Sequence, residues 1–295
     1  MQSNSNINLK AYLALGVGAL SIASSPVILR LAKAPGPVTS FYRMAIGSLI
    51  FTIPFLRRMG RSKGLPRKSV IFALTAGLFF FLDLSGWSTG VMLAGATIPT
   101  LMANTAPIWV GFGAMIFLKE KLVTQFWLGL ALAIVGSVLI LGIESTGSGN
   151  LLLGALLGLG AAIFYGSYFL MTQKVRETLD ALSAFWLSSV SSTFFLLIGV
   201  KFIFNQSLTG YSTQTYFYFL FMGLVTQSIG WYAISYALGQ LPASLVAPTL
   251  LLQPALAGVI AGPVLGERFS SNQLVGGLIV LAGIFVIHYS RKEHP

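Results

Sequence analysis

Ten apolar stretches, each about as long as a helix that crosses a bilayer, follow one another along this chain with only short polar breaks between them. They run over 11–32, 38–56, 69–92, 95–117, 122–143, 151–173, 181–203, 215–238, 243–264 and 272–289. About 20 helical residues cover a hydrocarbon core of ~30 Å. Inside that core the backbone must satisfy its own hydrogen bonds, which an α-helix does within one segment. The breaks carry turn and charge signals, among them "KAPGPV", "RRMGRSKGLPRK", "AGAT", "LKEKL", "ESTGSGN", "GQLPA" and "GERFSS". No soluble domain fits between any two stretches. The predicted fold class is an all-α polytopic membrane protein with about ten transmembrane helices.

Charge supports the same reading. Only 8% of the 295 residues are charged and the mean hydropathy is +0.83, whereas a soluble domain carries about a quarter charged residues. The net charge of +11 would suggest nucleic acid in a soluble protein. Here most Lys and Arg sit in the breaks, so the charge reads as topology and no nucleic-acid partner is expected. With no cysteine, disulfides, thiolate nucleophiles and Cys metal sites are excluded. The opening "MQSNSNINL" has no basic cluster and no small-residue cleavage site follows it, so the first span is expected to stay in the membrane.

Basic residues set the expected orientation. With a cytoplasmic N-terminus, that side collects all of the 18 Lys and Arg except Arg30, Lys33, Arg43, Lys201 and Arg268. The cluster from Arg57 to Lys68 decides it. Both termini are expected in the cytoplasm, and the localisation expected is the cytoplasmic (inner) membrane.

The two halves, 1–146 and 147–295, resemble one another. Shifting "ANTAPIWVGFGAMIFLKEKL" by 147 residues overlays Pro107 on Pro254, Gly111 on Gly258, Glu120 on Glu267, Gly129 on Gly276 and Gly136 on Gly283. Near each start, "GVGALSIASS" meets "GLGAAIFYGS". Five spans per half is an odd number, so the second half enters the membrane upside down. Two inverted five-helix repeats are a signature of secondary transporters. On these motifs the chain resembles the EamA-type family of the drug/metabolite transporter superfamily. The likeness covers nearly the whole chain, with "LKEKL" standing where the second half has "LGERF". It implies a ten-helix bundle with a central cavity built mainly by spans 1–4 and 6–9. It also implies movement of small metabolites, often amino acids and commonly outward.

Polar groups deep in apolar helices are the candidate site residues, because a charge at the bilayer centre costs about 2.5–3.5 kcal/mol. Asp83, in "FFFLDLSGW", has no charged residue within twelve positions. It lies near the middle of the third span, with Asn104 in the fourth, Gln227 in the eighth and Gln253 in the ninth. A shift of 144 overlays "DLSGW" on "QSIGW" and pairs Trp87 with Trp231. In each helix the polar group and the Trp are four residues apart and share a face, which suits a small amphipathic solute. The competing reading has both indoles packing or anchoring at an interface.

Three roles stand open for Asp83: a buried structural pair with Arg43, a contact for a substrate ammonium, or uptake and release of a coupling proton. Arg43 could equally extend its head group towards an interface. Asn104 and Gln253 precede Pro107 and Pro254, where an amide can repair the broken backbone ladder or meet solute. Pro26 marks a similar kink, and Tyr165 adds a hydroxyl to the sixth span. Glu120 and Glu267 close the fourth and ninth spans, where a structural or gating role fits better than substrate contact. His288 and His294 form no metal motif, and there is no nucleotide-binding fingerprint. No cofactor is expected.

The function expected is a secondary transporter exporting a small metabolite, such as an amino acid, by alternating access. Protons are the candidate coupling ion, and the working form is a monomer or homodimer. An importer or exchanger on the same scaffold is the alternative. An intramembrane enzyme would need a catalytic cluster that a single carboxylate does not supply.

Overall fold

A computed structural model describes residues 2–60, 64–95, 97–142, 150–266 and 270–293. It is helical, with no strand among the described residues. Among the described residues, ten helices are long and apolar enough to cross a membrane: α1 (Leu9–Ala32), α2 (Gly36–Met59), α3 (Arg67–Ala94), α4 (Thr97–Phe117), α5 (Thr124–Leu141), α6 (Leu151–Arg176), α7 (Ala181–Ile203), α8 (Thr213–Ala237), α9 (Ala243–Val264) and α10 (Ser271–Ser290). The break expected near Gly95 is present. That glycine takes φ +77°, a left-handed conformation open to a residue without a side chain, and so ends α3.

The chain forms two compact units. The first comprises Met1–Ser85 and Met171–Pro242, the second Gly86–Leu170 and Ala243–Pro295. Each therefore takes residues from both sequence halves, with boundaries inside α3, inside α6 and between α8 and α9. Compactness in space and repetition in sequence divide this chain differently.

In the first unit, α7 is the polar hub. The four serines of its run "SSVSST" are buried, and a hydroxyl in lipid surroundings is useful only when it finds a carbonyl or hydroxyl on a neighbour. Ser191 Oγ donates to Leu74 O and Ser192 Oγ to Gly77 O of α3, both at 2.7 Å. Thr193 and Ser48 of α2 share a hydrogen bond of 3.2 Å. Trp186 Nε1 donates to Thr52 Oγ1, also of α2, at 3.0 Å, while its ring stacks on Phe55. Gly77 permits the close approach: a β-carbon there would lie 2.3 Å from the Ser188 carbonyl.

Asp180 caps α7 before its first turn. Its carboxylate accepts from the amide and the hydroxyl of Ser183, each at 3.0 Å, and pairs with Arg58. Burial pushes the carboxyl up, but the bonds from Ser183 and the Arg58 charge outweigh it and hold it below the ordinary aspartate value. Asp180→Ala should therefore cost about 1 kcal/mol at neutral pH, the usual value of such a cap. Because the folded-state value is depressed, this contribution is present above about pH 3.9 and is lost as pH falls through the folded-state value. Thermal melts of wild type and variant in detergent should differ at pH 7 and converge in acid. A gap that persisted in acid would show that the carboxylate charge is not responsible.

In the second unit, α5 and α10 pack at the closest approach a glycine allows. A β-carbon on Gly129 would lie 2.7 Å from Gly283 O, and one on Gly136 would lie 2.6 Å from Gly276 O. Residues rising along α5 meet residues falling along α10, so the two run antiparallel. A core of Phe126, Leu130, Ala133, Ile140, Leu251, Val280 and Ile287 surrounds this contact.

Candidate functional site

Asp83 is buried at 8% exposure near the middle of α3, and among the described residues no hydrogen bond or ion pair holds its carboxylate. The sequence left a direct pair with Arg43 open; the two charges interact electrostatically but are not bonded to one another. Arg43, 7% exposed on α2, carries its guanidinium carbon 5.8 Å from the ring centre of Phe80. Phe80 is one turn before Asp83 and on its face. The same ring meets Trp231 of α8 at 4.7 Å between centroids. Arg43 is therefore buried beside an aromatic pair.

Gln227 is 1% exposed. Its Nε2 donates to Ser189 Oγ of α7 at 3.3 Å, while its Oε1 is buried with no hydrogen-bond partner among the described residues. Gly47, one turn after Arg43, makes room for it: a β-carbon there would lie 2.5 Å from Gln227 Cγ. Arg43, Phe80, Asp83, Gln227 and Trp231 all belong to the first unit.

The segment carrying Gln227 and Trp231 is the feature least visible in the sequence. Met222–Trp231 is a π-helix, its backbone bonds reaching five residues back, with the Tyr232 amide bonding Gln227 O. Ser228 Oγ follows the same step, donating to Gly223 O at 2.7 Å. Helices of this kind are rare and recur at functional sites. Gly223 and Gly230 lie on either side of Gln227, and a β-carbon on them would meet Ile46 and Ile22, contacts that the sequence does not show.

The second unit holds Asn104, Gln253, Trp87 and Tyr165. α4 is interrupted at Asn104–Thr105 between segments Thr97–Ala103 and Ala106–Phe117. Pro107 stands in the first turn of the second segment, where a missing amide proton breaks no ladder bond. Thr105, not Asn104, repairs the interruption. Its hydroxyl donates to Met102 O at 2.6 Å and its amide to the same carbonyl at 3.0 Å. Asn104 Nδ2 is left buried with no partner among the described residues. α1 uses the same device ahead of Pro26, where Ser24 Oγ donates to Ser21 O at 2.6 Å. A hydroxyl two residues before a helical proline was the sequence signal for both, and it was missed.

α9 has no hydroxyl at that place. It passes instead through a tighter 3₁₀ turn, Leu250–Leu252, before Gln253 and Pro254 open the segment Gln253–Leu265. Gln253 is half-buried.

The two indoles have different surroundings. Trp87 Nε1 donates to Thr100 Oγ1 at 3.0 Å, tying α3 to α4, whereas Trp231 packs on Phe80. Tyr165 is half-buried and meets Phe169 edge to face at 4.8 Å. Glu120 accepts a hydrogen bond from Ser244 Oγ at 2.5 Å, and His288 bonds Thr249 at 2.9 Å. Glu267 and His294 lie outside the described residues.

Known proteins give the chain its context. One family model, the EamA-like transporter family, matches twice, over residues 9–142 and 152–289. The transporter YetK of Bacillus subtilis is 25% identical, covering 96% of this chain and 88% of its own. A probable terminal-alkyne amino-acid exporter of Streptantibioticus cattleyicolor is 26% identical over 84% of this chain and 82% of its own. An S-adenosylmethionine uptake transporter of Rickettsia bellii is 23% identical over 98% of each. A crystal structure shares the fold at a TM-score of 0.80 and 14% identity, covering 97% of this chain and 99% of the other. With ten apolar helices and a family model that takes in nearly all of its residues, this multi-pass membrane protein belongs to the EamA-like transporter family.

Proposed function

We propose that the protein exports a small amphipathic metabolite of the amino-acid type across the cytoplasmic membrane, by alternating access between two inverted five-helix halves. The observation that carries this reading is the buried, unbonded carboxylate of Asp83, which shares one unit with Arg43, Phe80, Gln227 and Trp231. Opposite charges that interact without bonding, beside two aromatic rings and a partly unsatisfied amide, suit a solute with a charged head and an apolar body. Asp83 serves either the solute's ammonium or a coupling proton. In the second unit Asn104 supplies a second unsatisfied amide and Gln253 a half-buried one.

The glycine contacts support inversion. The shift of 147 that carries Gly129 to Gly276 carries Gly136 to Gly283, so the contact Gly129–Gly283 maps onto Gly276–Gly136. Two copies related by a two-fold axis make such self-complementary contacts. Outward movement is favoured by the exporter among the relatives; the uptake transporter makes import the competing direction.

Purified protein in liposomes loaded with a mixture of labelled amino acids should release solute without ATP, and faster under an imposed pH gradient. Absence of flux in both directions with every solute of the mixture would remove the amino-acid reading.

A further inference from the structure

α4 ends in a tight reversal. The amides of Leu118 and Glu120 both bond the carbonyl of Ala114, at 3.1 and 3.0 Å. Closure of this kind holds the residue between them in the left-handed conformation, a place usually taken by glycine. Here it is Lys119, at φ +56°, while the position 147 residues on is Gly266, at φ +71°. Lys119 carries a steric penalty that glycine would not, and strain of this kind gathers at switch regions.

The reversal presents Glu120 to α9. Its Oε2 accepts from Ser244 Oγ at 2.5 Å, the short length of a hydroxyl bonded to a carboxylate. Ser244 is fully buried in the first turn of α9. The two half-helices joined by this bond, Ala106–Phe117 and Ala243–Thr249, pack against each other. Each is bounded by a break, at Asn104–Thr105 in α4 and at Leu250–Leu252 in α9. The tips of two segments, each with a break at its other end, are thus tied by a short hydrogen bond on a strained backbone. The 147-residue shift places Thr97 on Ser244, so both halves keep a hydroxyl there.

We propose that the Glu120–Ser244 bond is a latch: it holds this end of α4 against α9 in the present conformation and breaks when that end opens during transport. The inference rests on the alternating-access reading above.

The absence of native cysteine makes introduced thiols clean reporters. Ala247, 4% exposed and one turn below Ser244, reports opening; Ala133, fully buried in the α5–α10 contact, reports general loosening. In the full chain in liposomes, Ser244→Ala should speed labelling of Ala247→Cys by a water-soluble maleimide roughly tenfold. Labelling of Ala133→Cys should not change, and Ser244→Thr should restore the wild-type rate. Equal rates in S244A and wild type, or a rise at both reporters, would overturn the latch. Glu120→Cys with Ser244→Cys, oxidised, should lose amino-acid flux and regain it on reduction; flux undiminished by the crosslink would equally overturn it. Labelling needs no substrate, so the two readings fail separately. A latch that responds in a chain moving no amino acid counts against the substrate, and flux through a crosslinked chain counts against the latch.

Discussion

Asp83→Asn should lower pH-gradient-driven efflux from liposomes roughly a hundredfold while solute exchange at equal pH stays within about threefold of wild type. The substitution keeps the shape of the side chain and removes its charge and its exchangeable proton. If Asp83 carries the coupling proton, gradient drive fails and exchange survives, because exchange needs no net proton movement. If it meets the solute's ammonium, both rates fall together. If it serves only to balance Arg43, the variant leaves a buried guanidinium uncompensated, which destabilises a protein by about 3–5 kcal/mol. Folded yield and melting temperature then drop, and Asp83→Asn combined with Arg43→Gln recovers them. Gradient-driven flux equal to wild type in a well-folded variant would take Asp83 out of coupling altogether. The absence of a direct bond between the two charges favours the first two outcomes over the third.

A second large effect is expected at the α5–α10 contact. Gly283→Ala should destabilise the protein by about 1–3 kcal/mol, the usual cost of forcing atoms into a filled space. Its new β-carbon would lie 2.5 Å from Gly129 O and 2.6 Å from the Ala133 amide nitrogen. Both are backbone atoms and cannot swing aside, so the helices must separate. Lipid supplies no hydrophobic force to push them back together, and close packing is what holds such pairs. Gly277→Ala is the matched control: its β-carbon would sit 3.6 Å from Ala255 Cβ, an ordinary contact. That variant should stay within ~0.5 kcal/mol of wild type. Melting curves in one detergent compare the two, and equal losses would show that general helix weakening, not the glycine contact, sets the effect.

What could be read in advance was whatever depends on one segment or on one repeated spacing. Ten spans followed from length and hydropathy, since each helix satisfies its own backbone whatever its neighbours do. The glycine spacing along spans 5 and 10 was visible in the repeat, and so was the charge at Asp83, because both stand out against apolar surroundings. Local chemistry was less legible: the hydroxyls that repair the breaks, Ser24 and Thr105, each stand two residues before a proline, whereas the more conspicuous Asn104 repairs nothing.

The tertiary structure decided which polar groups are already spoken for. Trp87 and Trp231 look equivalent in the aligned halves, yet a hydroxyl on the next helix takes one and an aromatic ring takes the other. Nothing in α8 alone calls for a π-helix, and only the folded chain shows that a β-carbon on Gly223 or Gly230 would meet Ile46 or Ile22 of other helices. The sequence by itself therefore determined the number of helices, their apolar character and the position of the buried charge, because those depend on the exchange of each segment between water and lipid. Only the folded chain determined that Asp83 and Arg43 interact without bonding and that Glu120 meets Ser244. Both depend on distances between helices, and side chains far apart in sequence set those distances.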